Sequence, residues 1–200
     1  MKRNVFIICV LIVILLPALV LSGNQTEKEH GKLKGKKILM IIAARMFNET
    51  EFKEPKEIFE LWGADVIIAS STLSEVTGGM GLRVKPDILF YDIRVKDFDA
   101  IFFVGGIGAG EYFNNYQAHN IVKQAMDKKI IIAAICIAVR TLANSDILKG
   151  EKVAGSDSFI KTKGVIVTGK NVERDGNIIT AKGPSASKEF GEAIVSALNE

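Results

Sequence analysis

Short, uninterrupted apolar runs separated by segments of helical length constrain this fold more than any other feature of the sequence. Each run is bounded by polar residues and is too short for a buried helix, so it predicts a β-strand covered on both faces: 37–43, 65–69, 100–104 and 130–135. The segments that alternate with them predict helices: 51–62, 111–128 and 137–144. This alternation predicts an α/β fold, a three-layer flavodoxin-like sandwich with a mostly parallel sheet and helices on both faces.

The last third of the chain continues the pattern with shorter elements. Late strands are predicted at 152–154, 165–168 and 178–181. Asp175-Gly176 predicts a hairpin turn before the last of them. A helix over 187–198 is predicted to close the chain.

The N-terminal segment, residues 1–23, has the composition of an export signal. Lys2 and Arg3 precede an apolar run of 17 residues, Val5–Leu21, that is interrupted only by Pro17 and is followed by small residues. A charged start, an apolar core and a small-residue end are the parts of a secretory signal. The run is also near the lower limit for a spanning helix, so an uncleaved membrane anchor is the alternative. Either interpretation predicts a membrane-targeted N-terminus and an extracytoplasmic domain, secreted or membrane-anchored.

The stretch 24–36 holds four lysines and two glutamates and almost no large apolar residue, so it predicts a solvated linker. It leaves 37–200 as one domain of ordinary size. The formal net charge of the chain is +3; without Lys2 and Arg3 the 26 basic residues fall to 24, against 23 acidic ones. A nucleic-acid-binding domain should carry a basic surplus, so we expect no nucleic-acid partner.

The cysteine and histidine content excludes several kinds of site. Two cysteines in 200 residues rule out a disulfide scaffold, and Cys9 lies in the N-terminal apolar run, which leaves Cys136 as the only thiol of the domain. His30 and His119 are isolated, so no metal site with the usual ligand spacing is predicted. The glycine-rich stretch 105–110 does not match the dinucleotide fingerprint, and we expect no cofactor.

Cys136 stands between a predicted strand and a predicted helix, which is the layout of a nucleophile elbow. Such a sharp turn needs small residues two places before and two places after the nucleophile, and Ala134 and Ala138 occupy those places. A helix N-terminus also lowers a thiol pKa, because its free N–H groups stabilise the thiolate. The alternative is a buried structural cysteine, the commonest fate of a free cysteine, and this pattern alone does not decide between the two.

Two other loops at the same predicted edge of the sheet offer partners for this thiol. The loop 105–110 is either a flexible turn or the source of a backbone N–H, at Gly106, that faces the thiol; with the N–H of Ile137 it would form an oxyanion hole. Glu51 is either the N3 residue of a capping box that begins at Asn48 or a carboxyl group that reaches the thiol from the end of the first strand. In the functional interpretation the three loops form one site.

Five stretches together resemble the PfpI/DJ-1 superfamily, which has the class I glutamine-amidotransferase-like fold. They are the first strand with its acidic residue, the strand ending in Gly-Gly, the strand with the cysteine elbow, the segment after the elbow helix, and the late strand with its Gly-Pro stop: 37–51, 98–106, 129–136, 146–153 and 175–184. The last is the most specific. The resemblance runs from Lys37 to the C-terminus and implies a reactive Cys136 with Glu51 as its acidic partner.

The departures from the family pattern concern histidine. Protease-like members carry His directly after the elbow cysteine and DJ-1-like members carry one in a later loop, but here Ile137 takes the first place and 151–200 contains none. His119 is expected to pack in or beside the helix after the glycine loop. The helix dipole and Arg140 are left to favour a thiolate, with Glu51 sharing its proton. We therefore expect little or no peptidase activity.

The resemblance implies a cysteine-dependent hydrolase or lyase that acts on a small molecule. The implied chemistries are small-carbonyl hydration or deglycation, amide hydrolysis, or reversible oxidation of the cysteine. The alternative is a non-catalytic extracytoplasmic module, for binding or chaperone-like work, on the same fold. Family members usually form dimers, so the resemblance also implies a homodimer; the sequence identifies no substrate.

Overall fold

The computed structural model describes residues 31–155 and 158–200. The export segment predicted at 1–23 and the first part of the predicted linker, 24–30, lie outside the described residues. Within the described ranges, no helix combines the length and the apolar character needed to cross a bilayer.

The strands of the described ranges are numbered in chain order: β1 Lys37–Ile41, β2 Arg45–Phe47, β3 Asp65–Ser70, β4 Val76–Gly78, β5 Arg83–Val84, β6 Ile88–Leu89, β7 Ala100–Phe103, β8 Ile131–Ile135, β9 Lys152–Val153, β10 Ile166–Val167, β11 Val172–Asp175 and β12 Ile178–Ala181. Seven of them form the central sheet in the order β11-β12-β8-β7-β1-β3-β6. All neighbours pair parallel except β11 and β12, which form the predicted hairpin. The predicted mostly parallel sheet is therefore confirmed.

The helices of the described ranges are α1 Glu49–Leu61, α2 Tyr116–Asp127, α3 Val139–Asn144, α4 Ser158–Lys161 and α5 Ser187–Leu198. The prediction differs most at 111–128, where a 3-10 turn, Ile107–Tyr112, precedes α2. The helix starts late because Asn115 caps it: the Asn115 side chain accepts a hydrogen bond from the Ala118 N–H at 3.1 Å.

Two apolar cores lie on the two faces of the sheet. One contains buried side chains of α2 and α3, and the other contains those of α1 and α5. Along β1 the side chains alternate between them, with Leu39 and Ile41 in the first core and Ile38 and Met40 in the second. Both faces are covered, as the continuous apolar runs of the sequence predict for a parallel sheet. The three-layer α/β fold is confirmed.

The C-terminal half of the predicted linker is packed against the domain, which corrects the prediction for 31–36. Leu33 is completely buried, and its N–H donates to the Trp62 carbonyl at 2.9 Å. The Lys36 Nζ lies 3.0 Å from an Asp99 carboxylate oxygen. The lysines and glycines around Leu33 give this stretch the average composition of a linker, and one apolar side chain decides its structure.

Two small sheets complete the fold. In one, β2 pairs parallel with β4, which pairs antiparallel with β5; in the other, β9 pairs parallel with β10. The first of these sheets follows the carboxyl end of β1 and leads directly into α1, so it borders the site described next.

Candidate active site

Three chain segments meet where the central strands β1, β7 and β8 end. The chain after β1 leads to Glu51 in the first turn of α1, β7 runs into Gly105-Gly106, and β8 ends at Cys136. Because these strands are parallel neighbours, their carboxyl ends lie at one edge of the sheet. Ligands of open α/β sheets bind at that edge.

Cys136 has the backbone geometry of a nucleophile elbow. Its φ of 58° lies in the left-handed region, which a residue other than glycine adopts only where the surrounding structure imposes it. It opens a 3-10 turn, Cys136–Ala138, that continues into α3. Ala134 and Ala138 are buried on either side of the turn, as the elbow requires. Cys136 itself is half-buried, so the alternative of a fully buried structural cysteine does not describe it.

Glu51 is completely buried although it carries a carboxyl group. Its backbone N–H donates to Asn48 Oδ1 at 3.1 Å, so Asn48 caps α1 as predicted. The second half of a capping box is missing, because the Asn48 N–H donates to the Gly105 carbonyl at 2.9 Å instead. The Glu51 side chain turns towards the Cys136 side chain and the Gly105 amide, and neither carboxyl oxygen makes a well-aligned hydrogen bond in the described part of the chain.

Burial dominates the protonation of both groups. It raises the pKa of Glu51 to about 7, although the Cys136 side chain and the Gly105 amide act in the opposite direction. It also raises the pKa of the Cys136 thiol to about 11, with the charge of Glu51 as the second cause. Together the two values mean that the pair holds one proton between pH about 7 and about 11.

This direction for Cys136 is opposite to the predicted lowering of the thiol pKa by a helix N-terminus. The elbow opens with a 3-10 turn, and the helix behind it, α3, has only six residues. The dipole of so short a helix is small, and burial outweighs it.

Two backbone N–H groups face the sulfur of Cys136. Those of Gly106 and Ile137 both favour the thiolate and so lower the pKa of the thiol against the larger effect of burial. The structure thus brings together the two donors that the sequence predicts for an oxyanion hole. Donors that reach the sulfur are also close to an oxygen on a carbon bonded to that sulfur, where they would stabilise negative charge.

Close approaches, rather than flexibility, explain the glycines of the loop after β7. A Cβ on Gly105 would collide with Glu51 Oε2 and would lie 2.7 Å from the Ile135 carbonyl oxygen. A Cβ on Gly106, whose φ is 95°, would collide with the Asn48 backbone nitrogen. The glycines of this loop therefore allow its backbone to pack closely against Glu51, Cys136 and Asn48, which a flexible turn would not require.

His119 and Arg140 lie in a different place. The His119 Nε2 is 2.8 Å from the Phe113 carbonyl oxygen; since a carbonyl only accepts, this nitrogen carries a hydrogen. Arg140 lies over the Phe113 ring, 5.6 Å from its centroid. Both side chains line a separate surface cavity of about 360 Å³. Arg140 is not among the groups that shift the pKa of Cys136, so its predicted role beside the thiol has no support.

The sequence analysis missed Glu49, a second buried carboxylate at the start of α1. Its Oε1 accepts hydrogen bonds from the N–H groups of Met80 and Leu82, both at 2.8 Å. It thereby ties the turn between β4 and β5 to the first turn of α1. The signal was present as a second acidic residue two places before Glu51, but acidic residues in a first helical turn are common for electrostatic reasons alone.

The mouth of the site has an apolar border. A cavity of about 400 Å³ adjoins Gly106 and is lined by Met46, Met80 and Ile107 among others. Met80 and Ile107 are each 77% exposed. On the opposite side, a Cβ on Gly183 would lie 3.9 Å from the Cys136 sulfur, so the Gly-Pro stop after β12 approaches the thiol.

In the part of the chain that the structure describes, no three His, Cys, Asp or Glu side chains come together as metal ligands would. Where β1, β7 and β8 end, the acid–base groups that come together are Cys136 and Glu51.

Comparisons with known proteins agree with this fold. The DJ-1/PfpI family model matches residues 36–197. An uncharacterized protein of Methanocaldococcus jannaschii is 34% identical over 197 residues, which cover 96% of each chain. The crystal structure of a ThiJ/PfpI domain protein from Brachyspira murdochii has a TM-score of 0.79 and 32% identity, covering 82% of this chain and 96% of that one. Drosophila melanogaster DJ-1beta has a TM-score of 0.72 and 26% identity, covering 82% and 90%. The chain belongs to the DJ-1/PfpI family.

Proposed function

We propose that this is an exported DJ-1/PfpI-family protein whose Cys136 thiol reacts with small electrophiles, above all small carbonyl compounds, with little or no peptidase activity. The observation that carries the proposal is the elbow cysteine, at φ 58°, facing a completely buried Glu51. Burying a carboxyl group is costly, and a structural role such as helix capping does not require it here, because Asn48 already caps α1.

The proton that the pair retains decides the reactivity of the thiol. Burial favours the neutral form of Glu51, and the N–H groups of Gly106 and Ile137 favour a charged sulfur. Burial and the charge of Glu51 favour the neutral thiol, so the proton of the pair lies mainly on the sulfur. The two effects named above retain a minor share of the form with a neutral Glu51 and a charged sulfur. A share of thiolate then exists near neutral pH without a histidine, and the thiolate is the nucleophilic form.

With a small aldehyde, the Cys136 sulfur forms a bond to the carbonyl carbon and the π electrons of the carbonyl move to its oxygen. The N–H groups of Gly106 and Ile137 stabilise that oxygen while it is negative. The proton of Glu51 passes to it, which leaves a hemithioacetal and a carboxylate. With hydrogen peroxide as co-reactant, the same sulfur becomes a sulfenic acid, and the displaced hydroxide leaves as water with the proton of Glu51.

Peptide cleavage makes a further demand, because the leaving amine must be protonated. Ile137 stands where protease-like members of the family carry His. His119 is bonded to the Phe113 carbonyl in another part of the domain. General acid–base assistance is typically worth about 10²–10⁴-fold in rate, so its absence favours a very weak peptidase.

The test compares two activities of the full chain in a Cys9→Ser background: consumption of an α-oxoaldehyde and cleavage of a casein-derived peptide. We expect measurable aldehyde consumption that is lost in Cys136→Ser and reduced in Glu51→Gln, with peptide cleavage near background. Cys9→Ser alone, compared with the unchanged chain, is the matched control. Aldehyde consumption that survives Cys136→Ser, or none at all, would leave the non-catalytic module as the better interpretation.

Export through residues 1–23 is proposed from their sequence, a charged start followed by an apolar run and small residues. In the native host we expect the protein in membrane or extracytoplasmic fractions. A cytosolic full-length product with an intact Met1 would contradict export.

A homodimer is proposed from family membership. Light scattering of the detergent-solubilised full chain, corrected for the detergent, should give twice the chain mass of 21.8 kDa. A mass of one chain at micromolar concentration would refute it.

A further inference from the structure

The cavity of about 400 Å³ beside the loop after β7 has no role in the reaction described above. Gly106 joins it to the thiol site, because the Gly106 N–H faces the Cys136 sulfur and the same residue lines the cavity. Cys136 itself lies beyond Gly106 rather than in the cavity wall. The volume falls within the range of about 300–1,000 Å³ that is usual for small-ligand pockets. A group bonded to the sulfur could therefore extend into a space of suitable size.

Three apolar side chains line this cavity and remain open to solvent. Ile107 and Met80 are each 77% exposed, and Met46 is 45% exposed. The φ of Met46 is 59°, in the left-handed region. A residue other than glycine keeps this conformation only where the surrounding structure imposes it, and such residues are concentrated at active sites and ligand-binding segments. The backbone thus holds an apolar side chain beside the cavity although the protein itself does not bury it.

The polar side chains of the cavity wall are largely engaged within the protein. Asn48 Oδ1 accepts from the Glu51 N–H at the start of α1, and Glu49 Oε1 accepts from two N–H groups of the turn between β4 and β5. Thr50 is the remaining polar side chain, and no lysine, arginine or histidine of the described ranges lines the cavity. An anionic substituent would meet the carboxylate of Glu49 and no cation. The wall therefore suits an uncharged, apolar group.

Charged side chains limit the apolar stretch on the side away from Gly106. A smaller cavity of about 250 Å³ shares Glu49, Thr50 and Met80 with the first one. Its other lining side chains are all charged: Lys53, Glu54 and Glu57. An apolar group that starts beside Gly106 thus has room for a short chain and reaches a charged surface beyond it.

We infer that this cavity binds an apolar substituent of the electrophile that Cys136 attacks, with Ile107 as the main residue that determines specificity. The substrate class is then aldehydes with a short alkyl or phenyl substituent, rather than sugar-like or anionic carbonyl compounds. This inference rests on the proposed reaction of Cys136 with small carbonyl compounds. In the adduct, one carbon carries the sulfur, the oxygen and the substituent. Because the oxygen accepts from the Gly106 N–H, the substituent begins beside Gly106, where the cavity lies.

The first experiment needs no turnover and uses the full chain, as Cys9→Ser, in one detergent throughout. The rate of Cys136 alkylation is measured with N-methyl-, N-ethyl-, N-butyl- and N-hexylmaleimide, and each rate is divided by the rate of the same reagent with glutathione. A methylene that leaves water completely gains about fourfold, so in a cavity open to solvent we expect about twofold per methylene. The gain should level off in the longer reagents, where the charged side chains begin.

A matched pair of variants isolates the cavity, because Ile107→Asn and Ile166→Asn both replace an exposed isoleucine. Ile166 lies on β10 and is 50% exposed. Ile107→Asn should lower the ratio of the hexyl to the methyl rate about threefold, and Ile107→Asn/Met80→Gln should lower it further. Ile166→Asn should retain the ratio. The detergent takes up each reagent equally for all variants, so it cannot produce this difference. Equal ratios in Ile107→Asn and Ile166→Asn, or no dependence on chain length in the wild type, would overturn the inference.

A second experiment separates this inference from the proposed function. We expect phenylglyoxal to be consumed faster than methylglyoxal, by a ratio that Ile107→Asn lowers and Ile166→Asn retains. If both aldehydes are consumed and Ile107→Asn leaves the ratio unchanged, the proposed function stands and the inference fails. If neither is consumed but the maleimide series depends on Ile107, the proposed function fails and the apolar subsite is still supported.

The other possible occupant of the apolar border is a second copy of this chain. Light scattering of Ile107→Asn and Ile166→Asn, in the same detergent as the wild type, distinguishes the two. We expect all three to have the same mass. A mass that falls to one chain in Ile107→Asn alone would assign the border to an interface between copies and overturn the inference.

Discussion

At the scale of single residues, the burial of Glu51 affects both the stability of the protein and the protonation of the site. It is completely buried, and its pKa is raised from a usual value near 4.5 to about 7. The unfolded chain therefore releases this proton at a lower pH than the folded chain. The stability that comes from keeping the carboxyl group neutral is complete below pH about 4.5 and is lost as the pH rises through about 7.

Glu51→Gln should therefore change how stability depends on pH. The difference between the two pKa values corresponds to about 3 kcal/mol, at about 1.36 kcal/mol per pH unit. Relative to wild type, the variant should gain up to about this amount of unfolding free energy between pH 5 and pH 8, as measured by urea denaturation. Glu57→Gln, at an exposed position of the same helix, is the control and should show no such gain. A constant difference between Glu51→Gln and wild type over this range would contradict a neutral Glu51.

The pH dependence of Cys136 alkylation tests the shared proton. In a Cys9→Ser background we expect the rate to rise in two steps, near pH 7 and near pH 11, because the first proton lost from the pair leaves a share of thiolate. Glu51→Gln and Glu51→Ala should both lose the step near pH 7. Their single step should lie below pH 11, since the charge of Glu51 no longer opposes the thiolate. A wild type that reacts only near pH 11 would show that the proton stays on the sulfur.

The members of this site could be predicted from the sequence, and its electrostatics could not. Cys136 follows from an apolar run that ends at a cysteine between two alanines, a local pattern. The carboxyl group of Glu51 could be identified, but its complete burial depends on β7 and β8 lying beside β1. Burial raises the pKa of the Cys136 thiol, where the sequence analysis predicted that it would be lowered. No local pattern reports how far a group is removed from water.

At the scale of elements, the loop after β7 fixes the distance between α1 and the elbow. Gly106 lies against the backbone of Asn48 at the start of α1, with a φ of 95°. Its N–H faces the Cys136 sulfur. One residue therefore joins the packing of two elements to the chemistry of the site.

Gly106→Ala should destabilise the protein and impair the thiol together. The left-handed backbone and the backbone collision cost at least about 3 kcal/mol combined, which urea denaturation would measure. The alkylation rate of Cys136 should fall in the folded fraction. Gly110→Ala is the matched control in the same loop, because its Cβ would meet only Phe113 at an ordinary 3.9 Å. Equal stabilities of the two variants would mean that the loop yields, as a flexible turn would.

The same scale shows which elements a sequence pattern identifies. The helix 187–198 and the strand 178–181 have their predicted bounds, because both are continuous patterns that end at a clear change of composition. The helix predicted at 111–128 is divided, since Asn115 caps α2 and the preceding turn follows the glycine loop. A capping residue inside an otherwise helical sequence pattern can begin a new helix at that point. Whether it does depends on the three-dimensional path of the preceding loop.

At the scale of the whole molecule, the chain enters the domain at one edge of the central sheet, and the Cys136–Glu51 pair lies at the other. Parallel strands produce this separation, because the start of β1 and the ends of β1, β7 and β8 are necessarily at opposite edges. The sequence shows both the N-terminal segment and the cysteine elbow but not their relative placement. That placement follows only once the strand order is known.

The boundary between the predicted linker and the domain also depends on the fold of the whole molecule, and a substitution of Leu33 tests where it lies. Because Leu33 is completely buried and its N–H is bonded to Trp62, Leu33→Ala should cost about 2–5 kcal/mol of unfolding free energy. Leu73→Ala, at a position 43% exposed, is the matched control and should cost about 0.5 kcal/mol or less. A chain that begins at Gly31 should unfold at the same urea concentration as a chain that lacks residues 1–23 alone. A chain that begins at Lys37 should unfold earlier, since it also lacks the Lys36–Asp99 pair. Equal urea midpoints for the chains beginning at Gly31 and at Lys37 would show that 31–36 adds no stability and behaves as the linker that its composition predicts.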